Sequence, residues 1–440
     1  MKKNSSVSVG SLSKRDTVTG MLIIGFMFFM FGFTSWINAI LIPYFKIAFQ
    51  LSHLASYLVT FAFYISYLLF SVPASYLLKN VGFKKGMMTG FWVMSAGAFL
   101  FVPAAMTMTY SLFLLGLFSI GAGLAILQTA ANPYITILGP QESAAQRFSI
   151  MGICNKGAGI LAPLLFAAVI FRVTDSDMFD QLASMTEAEK NAALHELIQR
   201  IIVPYACVGI FLFFLGLFIR FSPLPEIDTE HESDDLAQAN SSKTKITQFP
   251  HLILGAIAIF LHVGTQVISI DTVISYAGTM NINLIEAKVF PSYTLTAQIC
   301  AYLVGIFFIP KYLSQLTALK VSTVFGLLLT LLIVFAKGQV TFLGHTTDIS
   351  LWFVIMLGLA NSLVWAGVWP LALDGLGRFT KLGASLMVMG LAGNAILPLI
   401  YGYFVDVSSA REAYWVLFPC YMYLVFYAFR GYALRTWSRT

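Results

Sequence analysis

The chain of 440 residues predicts an all-α membrane protein, twelve transmembrane helices arranged as two pseudo-symmetric six-helix halves. Three observations carry that prediction. The composition is 58% hydrophobic and only 10% charged, whereas a soluble domain carries about 25% charged residues. Apolar runs of roughly 20 residues, long enough to cross about 30 Å of hydrocarbon as helices, recur along the whole length. A polar stretch, 222–249, divides those runs six and six.

The segments fall near 19–43, 55–78, 86–106, 110–138, 148–171 and 201–221 in the first half, and near 250–276, 289–310, 316–336, 351–373, 383–405 and 412–430 in the second. The organisation is then a tail (1–18), a six-helix half (19–221), a linker (222–249), a second half (250–430) and a tail (431–440). The first segment follows a polar stretch and lacks a small-residue cleavage site, so it reads as a retained helix and not a removed signal peptide. The polar loop 172–200 contains MTEAEKNAALHELIQRI, whose spacing predicts a short amphipathic helix on the outer surface. Offsets of 235 to 237 residues relate Pro133, Ser149 and Pro163 to Pro370, Ser385 and Pro398. Same-orientation repeats of this kind build one class of carriers around a midplane site.

Orientation follows from lysine and arginine, because basic short loops stay cytoplasmic. Eighteen of the 26 fall on the side of the two tails and the linker, and seven on the other, which places both termini in the cytoplasm. The formal charge of +6 is therefore a topology signal and not a nucleic-acid footprint, since no basic cluster is long or aromatic-interleaved enough. The four cysteines, Cys154, Cys207, Cys300 and Cys420, sit in apolar segments without metal-type spacing, so neither a disulfide nor a metal site is expected. Nucleotide-binding and metalloprotease motifs are absent, which argues against an enzyme and against any cofactor.

Candidate functional residues are the polar groups in apolar segments. The first segment pairs Trp36 with Asn38. In the fourth, Gln128 and Asn132 lie four apart on one face, and Pro133 frees a carbonyl on the preceding turn. Amides suit sugar hydroxyls because each offers donors and an acceptor; they also glue membrane helices together. The fifth segment carries Asn155 and Lys156 before Gly157 and Gly159, and Lys156 is the only deeply placed cation. The seventh carries His262, Gln266 and Asp271, the only carboxylate deep within an apolar segment. Charges at membrane depth mark substrate or ion pathways. The alternative is an Asp271–Lys156 bridge that only fixes packing. In the tenth segment Asn361 and Trp365 repeat the amide–aromatic pairing, with Trp369 one turn on. The other phenylalanines and tyrosines read mostly as core or lipid-facing filler.

The phrases SWINAILIPYFK, LVTFAFYISY, LQTAANPYITILGPQESAAQR and NKGAGILAP resemble the fucose/galactose/glucose:cation symporter family of the major facilitator superfamily, over nearly the whole chain. IPKYLSQ, VWPLALDGLGRFTK and the stretch around Asp271–Thr272 are more similar to its N-acetylglucosamine permease and hexose carrier branch. The resemblance implies the major facilitator fold and a role for Asn155 in sugar binding. It also places carboxylates at two positions occupied here by Ala39 and Gln128, and in the narrower branch a glutamate where Gln266 stands. Asp271 is then the remaining ion-site candidate.

The expectation is an inner-membrane, lipid-embedded monomer that imports a neutral monosaccharide (N-acetylglucosamine, glucose or galactose) by alternating access with cation symport, protons in preference to sodium. Trp36, Asn38, Gln128, Asn132, Asn155, Gln266, Asn361 and Trp365 would bind the sugar, and Asp271 with Lys156 would couple the ion. An uncoupled facilitator, a sodium symporter, a multidrug exporter and a membrane sugar sensor are the alternatives.

Overall fold

The computed structural model describes residues 14–37, 41, 44–45, 47–51, 53–170, 184–224, 243–282, 287 and 289–437. Its first half contains α1 (Lys14–Trp36), α2 (His53–Val81), α3 (Phe83–Met106), α4 (Tyr110–Ile137), α5 (Ala144–Ile170), α6 (Glu187–Gln199) and α7 (Ile202–Phe221). The second contains α8 (Pro250–Asp271), α9 (Val273–Gly278), α10 (Phe290–Phe308), α11 (Gln315–Phe335), α12 (Ile349–Leu373), α13 (Thr380–Met389), α14 (Gly393–Val407) and α15 (Leu417–Phe429). Strands β1 (Gln339–Phe342) and β2 (His345–Asp348) form an antiparallel hairpin between α11 and α12.

Ten helical stretches among the described residues are long and apolar enough to cross a membrane; α5 and the 412–429 stretch complete the twelve segments read from sequence. Residues such as Leu22, Val169, Phe214, Phe221 and Phe307 are exposed on the outside, as expected of a bundle whose surrounding solvent is hydrocarbon. Prolines lie inside α2, α3, α4, α12 and α14. Such breaks are tolerated where neighbouring helices and Ser/Thr side chains re-satisfy the freed backbone groups.

Two segments are less regular than their hydropathy implied. The seventh breaks at Thr272, between α8 and α9, where the threonine hydroxyl turns back to the Ile268 carbonyl (2.6 Å) and meets the Tyr414 hydroxyl (2.8 Å). The eleventh is divided into α13 and α14 by a 3-10 turn at Gly390–Ala392. Hydropathy reports apolar length and carries no information about either local break. The loop helix α6 is confirmed: Thr186 and Glu189 form a reciprocal capping box, and Leu194, Leu197 and Ile198 form its buried face.

The ends of the bundle differ. One end, called here the terminal end, carries the start of α1, the end of α7, the start of α8 and the end of α15. There the halves meet closely: α13 packs on α2 and α4, and α5 packs on α10 and α12. The Gln146 amide donates to the Ile306 carbonyl (2.6 Å), Phe148 stacks on Trp369 (6.3 Å between centroids), and the Lys381 ammonium lies 5.5 Å from the Phe83 ring. Gly152 of α5 abuts Tyr302 of α10 so tightly that a Cβ would lie 2.5 Å from the ring. Gly305 of α10 faces Ser149 of α5 with the same clearance. At the same end Arg147 satisfies the carbonyls of Ile135 (2.8 Å) and Pro140 (2.9 Å), closing the turn from α4 to α5. Arg435 pairs with Asp374 (2.6 Å), and the Trp437 indole donates to the Thr247 carbonyl (2.6 Å), so the stretch after α15 straps across the start of α8.

At the opposite, far end, Arg411 is bonded to four elements of the second half. It pairs with Asp348 and donates to the Tyr276 hydroxyl (3.1 Å), the Ser350 hydroxyl (3.0 Å) and the Ala336 carbonyl (3.2 Å). Asp348 caps α12 through the Ser350 amide (2.9 Å). Burial alone would raise the Asp348 carboxyl, but the Ser350 hydrogen bonds and the Arg411 guanidinium outweigh it and hold the group below the usual carboxylate range.

Candidate binding site

A central cavity of about 100 Å³ open to water, room for several molecules, lies between the halves. Its position follows from local sequence. Gly32 lets α1 approach the backbone of α5 at Asn155, where any Cβ would collide with the Asn155 carbonyl. That approach brings Trp36, at the end of α1, against Asn155 and Lys156: the indole donates to Asn155 Oδ1 (3.4 Å), and the Lys156 ammonium sits 4.4 Å from the ring centroid. Asn155 in turn donates to the Phe28 carbonyl (3.4 Å).

Six of the ten side chains singled out from sequence line this cavity: Trp36, Gln128, Asn155, Lys156, Gln266 and Trp365. The two halves are joined in it by a polar contact, Lys156 Nζ donating to the uncharged Gln266 Oε1 at 3.3 Å. Gln128 Nε2 donates to the Tyr67 hydroxyl at 3.4 Å. Distances at this upper limit describe loose bonds that a ligand hydroxyl can replace.

The other four fall differently. Asn132 is fully buried and outside the lining, although it is four residues from Gln128. Four residues turn a helix by about 400°, so the second side chain is offset by about 40°, and here that offset carries it into the packing. Asn361 is also buried outside the lining; its Oδ1 accepts from the Thr265 hydroxyl (3.1 Å) and the Tyr421 hydroxyl (2.8 Å), which makes it a joint among α8, α12 and α15. Asn38, like Ala39, lies outside the described residues. Asp271 is the last residue of α8, exposed toward the far end, and not deep in its helix. Its charge is felt at Lys156 and at Tyr64, yet no Asp271–Lys156 ion pair within 4 Å exists among the described residues. The purely structural bridge is therefore not formed in this conformation.

The cavity also contains groups that sequence reasoning passed over. Tyr64 and Tyr67 of α2, three apart and 5.9 Å between centroids, face it together, as do Ser35, Tyr302 and Asn394. The FYISY spacing was a readable signal for the tyrosine pair; in a chain with 19 tyrosines it did not stand out from the filler. Asn394 is 7% exposed with its Oδ1 unpartnered, at the start of α14. The break before α14 placed it there, and apolar periodicity could not announce that break.

The sequence profile of the Major Facilitator Superfamily matches residues 24–389. The chain belongs to the Major Facilitator Superfamily. It is 30% identical to a protein of Brucella abortus biovar 1 (strain 9-941) named glucose/galactose transporter, over 97% of this chain and 98% of that one. It is 28% identical to the L-fucose-proton symporter of Escherichia coli (strain K12), over 93% and 92%. The structure of FucP, a Major Facilitator Superfamily transporter in the outward conformation, superposes with a TM-score of 0.79 at 26% identity, covering 94% of this chain and 99% of that one. The superfamily's fold and the resemblance to its fucose/galactose/glucose group are thus upheld, and the chain is a multi-pass membrane transporter and not an enzyme.

Proposed function

We propose that this transporter imports a neutral monosaccharide, N-acetylglucosamine, glucose or galactose, across a bacterial inner membrane with both termini cytoplasmic, by alternating access coupled to protons. The observation that carries the reading is the cavity lining, in which amides (Gln128, Asn155, Gln266, Asn394) alternate with aromatic faces (Trp36, Trp365, Tyr64). A pyranose has that duality, an apolar C–H face and a polar rim. The relatives named as glucose/galactose and fucose transporters support the same substrate class. Leaving one of the amides unpaired costs about 1 to 3 kcal/mol, which disfavours the apolar cargo of a multidrug exporter.

Coupling is assigned to Asp271. It is exposed at the far end, within electrostatic reach of Lys156, and therefore able to exchange a proton with the outer solvent while sensing the cavity. The closed terminal end, with α13 on α2 and α4, is consistent with an outward-facing state. An uncoupled facilitator is the second reading. It is favoured by Ala39 and Gln128, neutral residues at positions where the resembling symporters carry carboxylates.

Uptake of labelled N-acetylglucosamine, glucose and galactose into liposomes containing wild-type or Asp271→Asn protein, under imposed proton or sodium gradients, tests the proposal. Proton-driven accumulation that is lost in the variant while exchange persists is expected. Equal, gradient-independent uptake by both proteins would leave the facilitator.

A further inference from the structure

The cavity lining carries a cation and, among the described residues, no Asp or Glu. Lys156 is 5% exposed. Its ammonium has three hydrogens to donate, and the partners formed are the Gln266 carbonyl oxygen at 3.3 Å and the face of Trp36 at 4.4 Å, both uncharged. A ring face offers a cation a weak attraction, and a neutral amide offers a dipole. Removing an ammonium from water costs more than such uncharged partners return. The titratable groups around it include Asp271 and His262 on α8, and Tyr64 and Tyr67 of α2 and Tyr302 of α10 in the same lining. Asp271 is exposed and forms no ion pair within 4 Å of Lys156, so its carboxylate acts on the ammonium only from beyond hydrogen-bonding distance.

We propose that the cavity also accepts a monosaccharide that carries a carboxylate, of the hexuronate kind, with the Lys156 ammonium as its counter-charge. This rests on the reading of the cavity as the sugar site. A hexuronate keeps the hexose ring and replaces its exocyclic CH2OH by a carboxylate of similar size. The ring therefore keeps the aromatic and amide contacts available to a neutral hexose. The carboxylate takes the ammonium hydrogens that Gln266 leaves free, in a charge-assisted hydrogen bond roughly twice as strong as a neutral one. Gln266 matters here because it does not neutralise the lysine, so the positive charge is left for cargo.

The test compares binding of glucuronate and galacturonate with that of glucose and galactose, by competition against labelled glucose in counterflow and by thermal shift of the purified protein. For wild type, a uronate is expected to compete at least as well as its neutral counterpart. In Lys156→Gln the uronate-to-hexose preference is expected to fall by about tenfold, the equivalent of about 1.4 kcal/mol, whatever happens to the absolute rate. Lys156→Arg, which keeps the charge, is expected to retain most of the preference and guards against a merely misfolded Gln variant. Wild-type protein that binds hexoses but not uronates, or a preference unchanged in Lys156→Gln, overturns the inference while leaving neutral-sugar import standing. Uronate binding without hexose binding sinks the neutral-sugar reading and upholds the carboxylate site. If labelled glucose is not carried, the thermal shift decides, and no stabilisation by either uronate overturns the inference.

Discussion

Gln128 and Asn361 show how similar amides in apolar helices come to do different work. Gln128 faces the cavity with one loose bond to Tyr67, so its capacity is available to a ligand. Asn361 is fully buried, and its oxygen already accepts from Thr265 and Tyr421. Gln128→Ala is therefore expected to weaken sugar binding by about tenfold, the value of one lost hydrogen-bonding group in a desolvated site, as read by counterflow competition. Asn361→Ala should instead lower thermal stability, because the buried Tyr421 hydroxyl loses its acceptor while Thr265 keeps the His262 carbonyl (2.7 Å), at about 1 to 3 kcal/mol. A variant that bound sugar tenfold more weakly with its melting temperature intact would return Asn361 to the binding site. The sequence pointed to both residues for the same reason, polarity in a greasy helix. What separated them was which helix each one faces, and that depends on packing between segments far apart in the chain. Trp36, Asn155 and Lys156 were legible because they are rare residue types for membrane depth; Tyr64, Tyr67 and Tyr302 were not, because tyrosine is common in such helices.

At the level of elements, apolar length located the helices and missed the breaks. The divisions at Thr272 and at Gly390–Ala392 place Asp271 at a helix end and Asn394 in the cavity lining, so the irregularities hydropathy could not see are the ones that serve the site. The far-end junction of the second half makes its own prediction. Arg411, paired with Asp348, joins α9, the end of α11, the start of α12 and the turn that leads into α15. Asp348→Asn is expected to cost about 2 kcal/mol at neutral pH, the scale of a hydrogen bond to a charged group. The Asp348 carboxyl is held below its ordinary range, so its contribution is complete above the unfolded value of about 3.9 and is lost as pH falls through the lower folded value. Melting temperatures of wild type and Asp348→Asn should therefore differ at pH 7 and converge in acid. A gap that stayed constant from neutral to strongly acidic pH would show that the charge contributes nothing.

Across the whole molecule, the two-fold organisation was legible from the linker and from the recurring Pro–Ser–Pro spacing, because both are written along the chain. Which end is shut was not, because that is a relation between halves. The structure shows it in contacts such as Gln146 with Ile306 and Gly152 with Tyr302. Gly152→Leu is expected to hold the terminal end apart: the added side chain has no space against Tyr302, and overpacking of this kind costs about 1 to 3 kcal/mol. Labelling of a cysteine introduced near Gln146 with a membrane-impermeant thiol reagent, added from the terminal side, should then rise, while uptake falls. Unchanged labelling would mean that the contact is incidental to closure.

Tyr302 lines the cavity, and its ring abuts Gly152. The chamber and its stopper thus share one side chain. A molecule that settles deeply enough to displace Tyr302 necessarily works on the seal, and a molecule too shallow to reach it fills the chamber without moving the stopper. Depth of seating, rather than tightness of grip, then separates a passenger from an inhibitor, and compounds that hold Trp36 and Gln128 but stop short of Tyr302 should lodge in the carrier without crossing.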